Sequence, residues 1–122
     1  MSVVYIATLK NTRLDAVTTA LGATAELEIG DTGFAQVLAT IPLANPVAPG
    51  AAAGVLTFTM PQSDTNADNT GTAAEARITD GAASNIVTGL TVGLAAADVI
   101  LDSLSITAGQ TVTINSATIT HG

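Results

Sequence analysis

The sequence predicts a mainly β domain: an antiparallel β-sandwich or jelly roll of about seven or eight strands, with one short N-terminal helix. Three observations predict it. Apolar residues recur at helical spacing in one place only, at Leu14, Val17 and Leu21. Elsewhere short runs alternate apolar and polar residues, and Gly, Pro, Asp and Asn punctuate them at regular intervals. The apolar content is Val, Ile, Leu and Ala, whereas aromatics are 2% of the chain, namely Tyr5, Phe34 and Phe58. Such a core is filled by small side chains, each burying little area, so help from assembly is expected at ~25 cal/mol per Å² of apolar surface.

Residues 1–122 read as one domain. Residues 1–8 are either a first strand of the domain's own sheet, the preferred reading, or an arm. Residues 9–22 are the helix, with Asn11 or Thr12 as a cap, Asp15 in the first turn and Gly22 just past the end. The period then changes to two. Ala25–Ile29 turns Glu26 and Glu28 outward and Leu27 and Ile29 inward. Asp31-Thr32-Gly33 is a turn, and Phe34–Leu43 is the next strand. Prolines 42, 46 and 49 with Gly50 cannot sustain a ladder, so this stretch reads as a surface loop. Val55–Met60 places Leu56, Phe58 and Met60 on one face, and Pro61 ends it. Residues 62–70 are polar and read as a second loop. Thr72–Thr79 sets Glu75 and Arg77 opposite Ala74, Ala76 and Ile78. In Asn85–Val92, residues Ile86, Leu90 and Val92 share a face. Val99–Ile106 and Thr111–Thr120 complete the set as a hairpin turning at Ala108-Gly109-Gln110.

Ten acidic residues oppose Lys10, Arg13 and Arg77, giving a net charge of −7 with only 11% of residues charged. The usual share is about a quarter. A surface of Thr, Ser, Asn and Gly suits a packed multimer or an extracellular particle, and also an ordinary acidic soluble protein. The negative sign argues against nucleic acid, because phosphate neutralisation needs clustered cations. Cysteine is absent, which removes thiolate chemistry and disulfides. Met1–Leu9 is apolar but short, with its cations behind it, the wrong order for a secretory signal. No apolar run approaches the ~18 residues of a membrane helix.

One segment has the spacing of a cation loop. Asp64, Asn66, Asp68, Thr70, Thr72 and Glu75 occupy the ligand positions of a calcium loop, with Asn69 where the pattern has glycine. Pro61 before it and a strand after it stand where that motif has helices, so a solvated β-loop is the better reading. Glu26 and Glu28 lie ~7 Å apart on one strand face. Without aromatic platforms they read as a solvated face and not as a glycosidase pair. His121 is the sole histidine. Standing next to the C-terminal residue of the sequence, it has no fixed neighbours to make it a general base. No catalytic set, cofactor signature or phosphate loop emerges, and an enzyme is not expected. Val3, Val4, Tyr5 and Ile6 are the candidate interface, as an arm that adds a strand to a neighbouring subunit.

The order of segments adds a resemblance. Ala7-Thr8-Leu9, Asn11, Arg13-Leu14-Asp15-Ala16, Thr18 and Gly22 are similar to a "TLRNARLDAIT-AIG"-like helix of small tailed-phage and prophage virion structural proteins. GAAAGVLTF (Gly50–Phe58), NTGTAAEARITD (Asn69–Asp80) and ITAGQTVTINSATITHG (Ile106–Gly122) resemble the same group in the same order, over nearly the whole chain. Glu26-Leu27-Glu28-Ile29 departs from it, since relatives tend to carry Arg and Tyr there. The resemblance implies a virion context and no site residues.

The expectation is therefore a non-enzymatic bacteriophage structural protein, first a capsid decoration or cement protein bound to the major capsid protein. A tail- or fibre-associated component, or a host-surface carbohydrate-binding module, are the alternatives. The expected partners are virion proteins and further copies in a homo-oligomer or symmetric array, with no nucleic acid and no membrane. The expected location is the virion, after synthesis in the bacterial cytoplasm.

Overall fold

The computed structural model describes residues 5–44, 47–81 and 84–120. Among the described residues the chain is mainly β with one α-helix, as the alternation predicts. Helix α1 spans Ala7–Leu21 and buries Leu14 and Leu21, with Val17 packed beside them. It starts four residues earlier than Asn11, so neither Asn11 nor Thr12 caps it. Ile6 is the N-cap, in extended conformation and with no side-chain cap bond. The reading of residues 2–8 as a strand is corrected to this extent: Ala7 and Thr8 are already helical. Ala, Leu, Lys and Arg favour this helix, whereas Thr12 and Thr19 bond back to the carbonyls of Thr8 and Asp15, a habit that weakens helices. Gly22 ends it as expected, with a φ of 68° and its N–H on the Thr18 carbonyl.

Ten short strands follow among the described residues: β1 (Glu26–Gly30), β2 (Val37–Pro42), β3 (Val55–Thr57), β4 (Gln62–Asp64), β5 (Gly71–Thr72), β6 (Glu75–Thr79), β7 (Asn85–Gly93), β8 (Val99–Leu101), β9 (Ser105–Ile106) and β10 (Val112–Thr120). The main sheet runs β2-β1-β6-β7-β8-β10-β3, with β4 also on β10, and β5 pairs with β9 separately. All pairs are antiparallel except β7–β8, where Val92 meets Val99 and Gly93 meets Ile100 in parallel. This curled mixed sheet is broadly compatible with the sandwich expected from the sequence. α1 packs on β3 and reaches β7, and the core lies under it. Leu27, Ile29, Ile41, Leu56, Ile78, Ile106 and Ile114 are sealed within that core.

Several local expectations need correction. Residues 62–70 are not all loop: β4 pairs Gln62, Ser63 and Asp64 with the start of β10. The proline-rich stretch is not only surface, since Val47 and Ala48 are buried and the Val47 carbonyl accepts the Thr59 N–H. In β7 the shared face fails. Gly89 has a φ of 76° and the register with β6 slips, so Val87 and Leu90 turn inward while Ile86 stays exposed. The C-terminal turn forms, with the Gln110 N–H on the Thr107 carbonyl, but its two arms do not zip together. β9 leaves for β5, and it is β8 that pairs with β10.

Phe34 belongs to a short 3-10 turn, Thr32–Phe34, and not to the strand. Its ring sits directly on Gly30, where any β-carbon would collide with it.

Candidate functional site

The candidate interface begins at the N-terminus. Val3 and Val4 lie outside the described residues. Tyr5 is half-buried, with the Arg13 guanidinium 4.8 Å from its ring centroid. Ile6 is 73% exposed and Leu9 42%, so an apolar surface flanks the helix entry.

Asn11 and Asp15 sit one helical turn apart and both bond to the body, Asn11 half-buried and Asp15 exposed. Asn11 Oδ1 accepts the Gly54 N–H at 3.0 Å, and Asp15 Oδ1 accepts the Ala51 N–H at 2.8 Å. The tight turn they hold includes Ala53 and Gly54, with φ of 51° and 75°. Sequence reasoning took both residues for helix-start signals. Their i, i+4 spacing places them on one face, and that was the available clue.

Hydrogen bonds bring Asp64 and Asp68 together at Thr40 and engage the other calcium-loop residues elsewhere. Asp64 Oδ2 accepts the Thr40 N–H at 3.1 Å, and its Oδ1 accepts the Asn66 N–H at 2.9 Å. Asp68 Oδ2 accepts the Thr40 hydroxyl at 3.0 Å. Asn69 is not in the left-handed region that the pattern's glycine would occupy. It donates Nδ2 to the Val37 carbonyl at 2.7 Å. Thr70 Oγ1 accepts the Ala108 N–H, Thr72 belongs to β5, and Glu75 on β6 accepts the Gly33 N–H at 2.5 Å. The segment thus covers the outer edge of β2 and docks the C-terminal turn. Among the described residues no three acidic or histidine side chains converge on a point that could hold a metal ion.

Glu26 and Glu28 share the outer face of β1, as expected, opposite Thr79 and Arg77 of β6. Arg77 Nε donates to Glu28 Oε1 at 2.6 Å, and its guanidinium also lies 4.2 Å from the Phe34 ring centroid. The shallow concavity there, about 290 Å³, is lined by Glu26, Glu28, Arg77, Thr79, Gly81 and Asn85. Its one cation, Arg77, is committed to a carboxylate and a ring. His121 lies outside the described residues. No helix among them is long and apolar enough to cross a membrane.

Compared with protein-family models, curated proteins and solved structures, the chain matches none.

Proposed function

We propose that this chain is a non-enzymatic structural protein of a tailed-bacteriophage virion, with capsid decoration as its role. The observation that carries this reading is the ordered resemblance, from the helix block at Ala7–Gly22 to the closing Ile106–Gly122. Its first two blocks are also bonded to each other, through Asn11 to Gly54 and Asp15 to Ala51, so residues of the resemblance are ones that set the architecture. The sparse charge and the exposed Ile6 and Leu9 accord with a protein that works by contact. The mechanism is area burial at the junctions of capsid subunits. A standard interface covers ~1,600 Å², and lattice symmetry multiplies each modest contact.

Quantitative gels of purified particles test this. Decoration requires hundreds of copies per virion, and a tagged copy must map to the head by electron microscopy. A few tens of copies moves the protein to the tail, and absence from particles removes the reading.

A further inference from the structure

One row of side chains on the outer face of the sheet is chemically open. Thr79 of β6 faces Glu26 on β1 and Asn85 on β7, so the three stand side by side across three strands. Thr79 is short and 4% exposed, whereas Glu26 is half-buried and Asn85 exposed. The row is therefore a notch within the concavity of about 290 Å³, with a hydroxyl floor between a carboxylate wall and an amide wall. Gly81 has no side chain to fill one end, and the Glu28–Arg77 ion pair stands at the other.

The polar groups of this notch have bonding capacity to spare. Among the described residues no hydrogen bond or ion pair engages the side chain of Glu26 or Asn85. The buried Thr79 Oγ1 accepts the Gly81 N–H at a long 3.4 Å and keeps a second lone pair. Charge is unbalanced as well. Arg77 neutralises Glu28 at 2.6 Å, which leaves the Glu26 carboxylate uncompensated in a chain of net charge −7. Three acceptors thus line the notch: a carboxylate, a hydroxyl and an amide oxygen. An ammonium carries three rotatable N–H donors on one compact charge, whereas a guanidinium presents a flat fork. A metal ion is a worse match, because no three acidic or histidine side chains gather among the described residues.

We propose that the notch receives a lysine side chain of a different protein, its ammonium held by the Glu26 carboxylate, Thr79 Oγ1 and Asn85 Oδ1. A second copy of this chain is a poor donor. Its cations are Arg77 in the ion pair, Arg13 over the Tyr5 ring and Lys10, half-buried on α1. The proposal does not depend on the virion reading, and either can fail alone.

Nα-acetyl-lysine methylamide serves as the probe, titrated at constant ionic strength and followed by amide proton and nitrogen shifts. The expected result is a saturating movement of Glu26, Thr79, Asn85 and the Asn85 side-chain amide. Acetylating the ε-amine of the probe must abolish it. Glu26→Gln weakens binding by about three-fold or more, and Asn85→Asp, which puts a second carboxylate on the opposite wall, tightens it by a similar factor. If Glu26→Gln loses the native spectrum, Asn85→Asp decides alone. Shifts that grow without saturating, or that the acetylated probe reproduces, overturn the proposal. So does equal binding by the parent and both variants, or tighter binding of the arginine analogue. Self-association of the parent in light scattering, abolished by Lys10→Gln, also overturns it, because the occupant is then a second copy.

Discussion

Asp98 and Thr91 grip each other twice: Asp98 Oδ2 accepts the Thr91 N–H at 3.0 Å, and Thr91 Oγ1 accepts the Asp98 N–H at 3.0 Å. This clasp closes the loop of residues 94–98 and brings β8 back parallel to β7. Parallel neighbours usually need a crossover of about a dozen residues or more. Here the pairing is only two residue pairs long, and the clasp holds it where a long ladder would otherwise be needed. The Asp98 carbonyl then accepts the Thr118 N–H at 2.9 Å, so one residue ties β7, β8 and β10 together.

Asp98→Ala is expected to lower stability by about 1 kcal/mol, the net value of a half-exposed hydrogen bond with its N–H left unmet. Asp98→Asn keeps an acceptor oxygen and loses less. Urea midpoints at constant slope measure both. Equal losses would show that the carboxylate's charge, and not its geometry, is what matters.

Asn11→Ala and Asp15→Ala each remove one anchor between α1 and the Ala51–Gly54 turn, at about 1 kcal/mol apiece. The effect should be local. Hydrogen exchange must speed up across α1 while β1 and β6 stay protected, because α1 buries only Leu14 and Leu21 fully. Uniform loss of protection in both regions contradicts this.

Two glycines separate backbone strain from collision. Gly22 has φ 68° and ψ −152°, a region essentially reserved for glycine, with open space around a would-be β-carbon, so Gly22→Ala costs about 1–3 kcal/mol of backbone strain alone. Gly81 has a φ of 84°, and its β-carbon would strike the Thr24 carbonyl and hydroxyl. Gly81→Ala must cost more, since a backbone carbonyl cannot swing aside. Thermal melts of the two variants decide, and equal melting temperatures would refute the difference.

On the β1–β6 face the two partners of the ion pair should not be equivalent. Glu28 and Arg77 side chains are 20% and 27% exposed, so the pair itself is worth about 1 kcal/mol or less. Arg77→Ala also removes the contact with the Phe34 ring, a further ~0.5–1 kcal/mol. Arg77→Ala should therefore exceed Glu28→Ala, and high salt should narrow the parent's advantage over Glu28→Ala without abolishing its advantage over Arg77→Ala.

What the sequence determined by itself is what short-range periodicity encodes. The helical stripe Leu14, Val17, Leu21 with Gly22 behind it, and the alternations Glu26–Ile29 and Glu75–Ile78, name their buried faces without any partner, because side-chain direction follows from local backbone geometry. Partners and side-chain destinations were a different matter. Nothing near Asn11 or Asp15 in the sequence names Gly54 or Ala51, and nothing near Asp64 names Thr40, because such bonds form between segments that only the fold brings together. The C-terminal turn was legible as a turn, yet the pairing of β9 with β5 and β8 with β10 was not, since a strand's neighbour is chosen by long-range burial and not by the adjacent loop. The face of Ile86 was misread for a related reason. Gly89 tolerates a positive φ, and whether the chain uses that freedom is decided by the register that Ala76 and Ile78 impose from the next strand. The tertiary structure alone thus decided which polar side chains clamp the backbone.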